Sequence, residues 1–218
     1  MKNLLFISAH PDDHLYASGS LKLLRNKGCV LFEILMTMGE NGSVICDDGS
    51  TKKFPKEETK AIRQKEYEEA IRLLGIQESF YFGLEDGNIQ QDSKTIWRLV
   101  SIVRRLKPDV VITLSDQDSH PDHVVTSKMV LDALRYSAIS ARSEEFGDPF
   151  RVPVFWKVEG YIPEKNGLYV DITPYKDFKI ELMKLYESQH HSNLVRCTEV
   201  SDAKNGLAVG VPFAESFV

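Results

Sequence analysis

The strongest constraint on the fold is a set of short, largely apolar runs, each followed by a helical repeat. Leu4-Leu5-Phe6-Ile7-Ser8 has neither a helical period nor strict alternation, so it reads as a strand buried on both faces. Leu15, Gly19, Leu21, Leu23 and Leu24 follow with helical spacing and end near Gly28. Val30–Met36 reads as a second buried strand. A β-α-β start implies a parallel sheet with a right-handed crossover. Thr37–Pro55 holds Gly39, Gly42, Gly49 and Pro55 and reads as a long loop.

The alternation continues. A helix is expected over Glu57–Leu74, capped by Gly75, and a strand over Ser79–Phe82. Ile96, Leu99, Val100 and Val103 mark a helix that Pro108 stops, before a buried strand at Asp109–Leu114. A polar turn, Ser115–His123, leads into a helix from about Asp122 to Tyr136. Later strands are expected at Val152–Val158 and Leu168–Asp171. Thr173-Pro174 then opens a final long helix bearing Phe178, Leu182, Leu185 and Gln189. This order predicts a Rossmann-like three-layer α/β/α sandwich with a mostly parallel sheet, one domain over residues 1–218.

Composition narrows the function classes. With 42% hydrophobic residues the chain can build a core, but its apolar runs are strand-length, far short of the roughly 18 residues of a membrane span. Lys+Arg 27 against Asp+Glu 32 weighs against a polyanion-binding surface, so no nucleic-acid partner is expected. Cys29, Cys46 and Cys197 are odd in number and have no CxxC spacing, which suggests neither a disulfide framework nor a thiolate metal site. The short apolar run before His10 lacks the form of a signal peptide, and a cytoplasmic location is expected.

Two polar clusters fall at corresponding places. His10-Pro11-Asp12-Asp13-His14 follows the first strand, and His120-Pro121-Asp122-His123 follows the Asp109–Leu114 strand. Ligands of open parallel sheets bind outside the carboxyl ends of the strands, so both clusters would share one edge. Their imidazoles and carboxylates suit Zn²⁺ or another divalent first-row ion. His10 and Asp13, three apart, can face one point. Asp12, between them, is left near the metal as a natural general base. Of His120 and His123, one can bind metal while the other faces substrate, and Asp122 can orient an imidazole. His190-His191 reads as a solvated turn, and Arg104, Arg105 and Lys107 as a solvated helix end.

The segments AHPDD (Ala9–Asp13) and HPDH (His120–His123) resemble the PIG-L or LmbE-like family of zinc-dependent N-acetylglucosaminyl deacetylases. Thr37–Glu40 with Gly42, Arg63 with Glu66, Leu84–Gly87, Tyr186–Gln189 and Ala214–Phe217 resemble further family signatures. The resemblance implies that His10, Asp13 and His123 bind zinc and that Asp12 is the general base toward a zinc-activated water. It implies that His120, held by Asp122, stabilises the oxyanion or acts as an acid, and that Arg63 contacts substrate. Arg151 loosely resembles another site arginine. Many members carry Glu where this chain has His14. That residue is read as an altered substrate contact, ahead of a neutral helix-start residue or a metal ligand. The implied activity is removal of an N-acetyl group from an aminosugar conjugate, a small-molecule partner, with a homo-oligomer left open. The rivals are an amidase of the same fold and a non-catalytic Rossmann-like binding module. The second is disfavoured because Gly19 stands alone, without GxGxxG.

Overall fold

The computed structural model describes residues 2–45, 48, 50–158, 167–189 and 192–218. Strand β1 (Asn3–Ser8) is followed by a 3-10 turn over Asp13–Ala17, then α1 (Ser18–Asn26) and β2 (Val30–Leu35). A short antiparallel hairpin, β3 (Val44–Ile45) with β4 (Thr51–Lys52), interrupts the expected long loop. Next come α2 (Lys56–Leu74), β5 (Ile76–Tyr81), α3 (Ser93–Leu106), β6 (Val110–Thr113), α4 (Pro121–Ser137), α5 (Ser143–Phe146) and β7 (Val154–Lys157). The chain then runs through β8 (Leu168–Asp171), α6 (Lys176–Met183), α7 (Ser192–Val209) and β9 (Ala214–Phe217).

The main sheet has five strands in the order β5-β2-β1-β6-β7, and every pairing in it is parallel. Leu4, Leu5, Phe6 and Ile7 of β1 are buried on both faces, as are Val111 and Ile112 of β6. The fold is therefore the expected three-layer α/β sandwich. The chain leaves β1 toward β2 on one side and returns to pair β6 on the other. The crevice where strand order reverses thus lies beyond the carboxyl ends of β1 and β6, where open α/β sheets bind ligands.

The C-terminal third departs from expectation. The helix opened by Thr173-Pro174 stops at Met183 rather than reaching Gln189, because the chain turns there into the YESQ segment. A separate helix, α7, follows, and its mixed polarity conceals it from pattern reading. Leu168–Asp171 is a strand, but it pairs antiparallel with β9 in a two-stranded sheet of its own. His190-His191 lies outside the described residues.

A buried ion cluster ties this region to the start of α1. Lys179 of α6 donates to Asp202 of α7 at 3.0 Å and to Glu215 of β9 at 2.9 Å. Glu215 in turn accepts from the Gly19 and Ser20 amides at 2.9 and 2.8 Å, satisfying the first turn of the helix with a carboxylate. Lys179→Met leaves two carboxylates buried without their cation. It should cost about 3–5 kcal/mol in urea unfolding, and a loss within error of zero would refute the assignment.

Candidate metal and active site

The HPDD turn is built by its second aspartate. Asp13 Oδ2 accepts from the amides of Ala9 (2.8 Å) and His10 (2.7 Å), which folds the chain back at the end of β1. Its other oxygen, Oδ1, is left facing His123 Nε2 at 3.2 Å. His123 lies in the first turn of α4, and His120 is the N-cap of that helix. The two clusters do converge.

The outer carboxylates decide which imidazole nitrogens face inward. His10 Nε2 donates toward Asp86 (3.1 Å) and Asp122 (3.3 Å), so its Nδ1 points to the centre. His123 Nδ1 donates to Asp118 at 3.0 Å, so its Nε2 points inward. The two inward nitrogens stand 3.2 Å apart. Burial pulls both rings toward neutrality. For His10 the Asp13 charge and bonds to Asp122, Asp13 and Asp86 prevail and push the pKa up to about 12. For His123, Asp13 and Asp118 raise it to about 10. Burial opposes ionisation of Asp13 as well, but His123 and His10 hold its carboxyl well below the usual range. Once a cation displaces their protons, the two inward nitrogens and the carboxylate oxygen form a donor set for a divalent ion. Donor atoms of His10, His120 and His123 also lie within 4.8 Å of one another, as do those of His10, Asp86 and Asp122.

Asp12 occupies the N-cap position of the 3-10 turn, yet its carboxylate makes no capping bond. It is half-buried and borders a cavity of about 370 Å³ that also touches Asp13, Asp118 and, on α7, Ser201 and Asn205. His120 is exposed, with its ring centroid 4.6 Å from that of His10 and 4.8 Å from that of His123. Its Nδ1 accepts from the Asp122 amide at 3.3 Å. Burial, then the His10 and His123 charges, lower its pKa, so the neutral ring carries its proton on Nε2. Arg63 is buried across Gly39, where a Cβ would stand 1.7 Å from its Nη1; Gly39 adopts φ +67°, a conformation that glycine takes without strain. Its Nε has no hydrogen-bond partner among the described residues, and Glu66 beside it grips the Ser188 amide and hydroxyl, each at 2.6 Å.

Three expectations need correction. Asp122 does not hold His120 with its carboxylate. That group accepts from the Gly87 and Ile89 amides and lies against His10. His14 cannot touch a substrate, because it is fully buried with both ring nitrogens engaged by Glu33 and Tyr186. Arg151 precedes β7, which runs parallel to β1 and β6, so it lies at the opposite, amino-terminal edge of the sheet. At about 3.3 Å per residue that is about 20 Å from the site edge. Sequence reasoning misses Asp118 and Asp86. A carboxylate five residues before a candidate ligand, as Asp118 is before His123, is a usable signal. Asp86 has none beyond its place in LEDG, since its contact with His10 crosses the fold.

The sequence model of the family described as "PIG-L: GlcNAc-PI de-N-acetylase" matches residues 5–134, more than half of the chain. The chain belongs to the PIG-L family. A Mycobacterium leprae 1D-myo-inositol 2-acetamido-2-deoxy-alpha-D-glucopyranoside deacetylase is 30% identical over 71% of this chain and 59% of its own length. This PIG-L chain thus spans less than two thirds of that relative. A probable N-acetyl-alpha-D-glucosaminyl L-malate deacetylase 2 of Bacillus anthracis is 27% identical over 85% of this chain and 87% of its own. Among solved structures, the conserved protein TT1542 of Thermus thermophilus superposes with a TM-score of 0.85 at 28% identity, covering 100% of this chain and 94% of that one. No helix among the described residues of this PIG-L protein is long and apolar enough to cross a membrane.

Two measurements follow from the geometry. A bound cation replaces the protons shared by His10 and His123, so zinc titration by calorimetry in buffers of differing ionisation enthalpy should show proton release, with affinity falling as pH falls. In the metal-free protein both folded pKa values lie above the ordinary 6.5. Their contribution to stability is therefore complete below pH 6.5 and is lost as pH rises through about 10 and about 12. Binding without proton release would contradict this arrangement. Asp118→Asn should weaken metal affinity about 10- to 100-fold with little change in the fold's melting temperature.

Proposed function

We propose that this chain is a metal-dependent N-deacetylase that removes an acetyl group from an N-acetylglucosaminyl-type conjugate. The observation that carries the reading is the pairing of an inward-facing donor set with an uncommitted carboxylate, Asp12, on a cavity. His10 Nδ1, Asp13 Oδ1 and His123 Nε2 would hold the cation, and zinc suits that nitrogen-and-oxygen set. When bound, such an ion supplies Lewis acidity to water and to an amide carbonyl.

The remaining chemistry belongs to the chain's own groups. Asp12 takes the proton of the attacking water at its carboxylate and is the general base. His120, neutral and donating from Nε2, stabilises the negative charge that develops on the carbonyl oxygen. Arg63, packed against Gly39, would offer its guanidinium charge to the polar groups of the substrate. The relatives' aminosugar substrates supply the substrate class, and the products are acetate and a free amine.

The test is acetate release from a panel of N-acetylglucosamine conjugates alongside non-sugar amides, with metal content measured on the same sample. Release from the sugar conjugates is expected. Absence of acetate, or turnover confined to non-sugar amides, overturns the proposal. Asp12→Asn should retain the metal and lose about 10²- to 10⁴-fold in kcat. Wild-type turnover in that variant would remove Asp12 from the base role.

A further inference from the structure

Beneath the HPDD turn lies a polar network for which the chemistry above has no use. His14 is fully buried. Its Nδ1 stands 3.1 and 3.2 Å from the two oxygens of Glu33, a buried residue of β2 that also accepts from the Ser8 hydroxyl at 3.0 Å. Its Nε2 stands 2.8 Å from the Tyr186 hydroxyl, and that hydroxyl is 2.6 Å from the Pro11 carbonyl.

The directions of the bonds at Tyr186 are forced. A carbonyl oxygen only accepts, so Tyr186 spends its single proton on Pro11. Burial first, then the Glu33 charge, hold that hydroxyl protonated, with its pKa well above 10. Its lone pairs are then left for His14 Nε2–H, and His14 Nδ1 closes on Glu33. The chain Glu33–His14–Tyr186–Pro11 therefore crosses from the centre of the sheet to the catalytic turn with every polar group partnered.

Its end point matters. The Pro11 carbonyl fixes the plane of the Pro11–Asp12 peptide, and that plane sets where the Asp12 side chain departs. Asp13 does not depend on it, because its carboxylate grips the Ala9 and His10 amides directly. Asp12 makes no capping bond of its own and takes its position from the backbone.

We propose that His14 and Tyr186 are positioning residues that aim the Asp12 carboxylate through the Pro11 carbonyl, with Glu33 as their anchor. The inference rests on Asp12 being the base of the proposed deacetylation. It separates aim from metal binding: the network should govern kcat while leaving the metal site intact.

The test uses Tyr186→Phe, which keeps the buried ring and removes only the hydroxyl, together with His14→Gln and the double variant. Metal affinity, kcat and KM on a sugar conjugate, and amide hydrogen exchange are measured for each. Tyr186→Phe should lower kcat about 10- to 100-fold, the scale of a small misplacement of a catalytic group, with KM and zinc affinity within about threefold of wild type. The double variant should lose little more than the worse single one, since both cut one chain. Exchange of the Asp13 and Leu15 amides, which bond to the His10 and Asp12 carbonyls, should quicken about tenfold. A purely structural role predicts a lower melting temperature with wild-type kcat per folded, metal-loaded molecule. That result, or unchanged exchange at those amides, overturns the proposal. Should wild type release no acetate, the deacetylase reading fails, while the exchange measurement still decides whether the network holds the turn.

Discussion

The carboxylate of Asp13 is the joint on which the site depends. One oxygen closes the turn at the end of β1 by accepting two backbone amides, and the other meets His123 at the start of α4. An ionised carboxylate in a buried position carries a desolvation cost of several kcal/mol. Two amide donors and two imidazoles offset it, and the group stays ionised well below the usual carboxylate range. The same side chain therefore shapes the backbone of one cluster and recruits the other. Neither half could be moved without the second.

Around this joint the chain arranges a ring of acids, each brought by a different segment. Asp118 comes from the turn before α4, Asp122 from the first turn of that helix, and Asp86 from the LEDG turn after β5. The LEDG turn is itself pinned. Its Asp86 amide donates to Glu40, and the Asn41 amide donates to the Asp86 carboxylate, so the loop after β2 and the loop after β5 support one another. These acids select which nitrogen faces the centre: Nδ1 for His10, Nε2 for His123. They also concentrate negative charge around the centre, the field a cation needs and a polyanion avoids. Part of the chain's net charge of −5 is therefore local to the site.

The parts of the fold legible in the sequence are those whose signal is local. Buried strands β1 and β6 announce themselves as uninterrupted apolar runs, β2 as a run broken only by Glu33, and α3 by its strong stripe through Ile96, Leu99 and Val103. The HPD clusters are visible because the candidate ligands, the proposed base and the turn lie within five residues. The contacts of Asp86 and Tyr186 are not visible, since each reaches the HPDD segment across much of the chain. The role expected of Arg151 fails for a topological reason: residues before a parallel strand emerge at the wrong edge, whatever their charge. Helix α7 is hidden by its mixed polarity. Strand β9, for all that Ala214, Glu215, Ser216 and Phe217 are buried, has Glu215 spent on Lys179 and the α1 amides, so apolar patterning does not mark it.

The fate of three consecutive residues shows why adjacency in sequence misleads about function. Asp12, Asp13 and His14 read as one polar run, and such a run invites the expectation that all three face the ligand. The backbone there enters a 3-10 turn, in which successive side chains are rotated by about 120° because a turn takes about three residues. Three neighbours must then face three surroundings. Asp12 meets the cavity, Asp13 meets the histidine pair, and His14 is driven under the turn into the core. A histidine sent there requires partners for both nitrogens, and Glu33 and Tyr186 provide them. A carboxylate at position 14 would face Glu33 with no cation between them, so the identity of this residue is set by the strand beneath the turn rather than by the substrate above it.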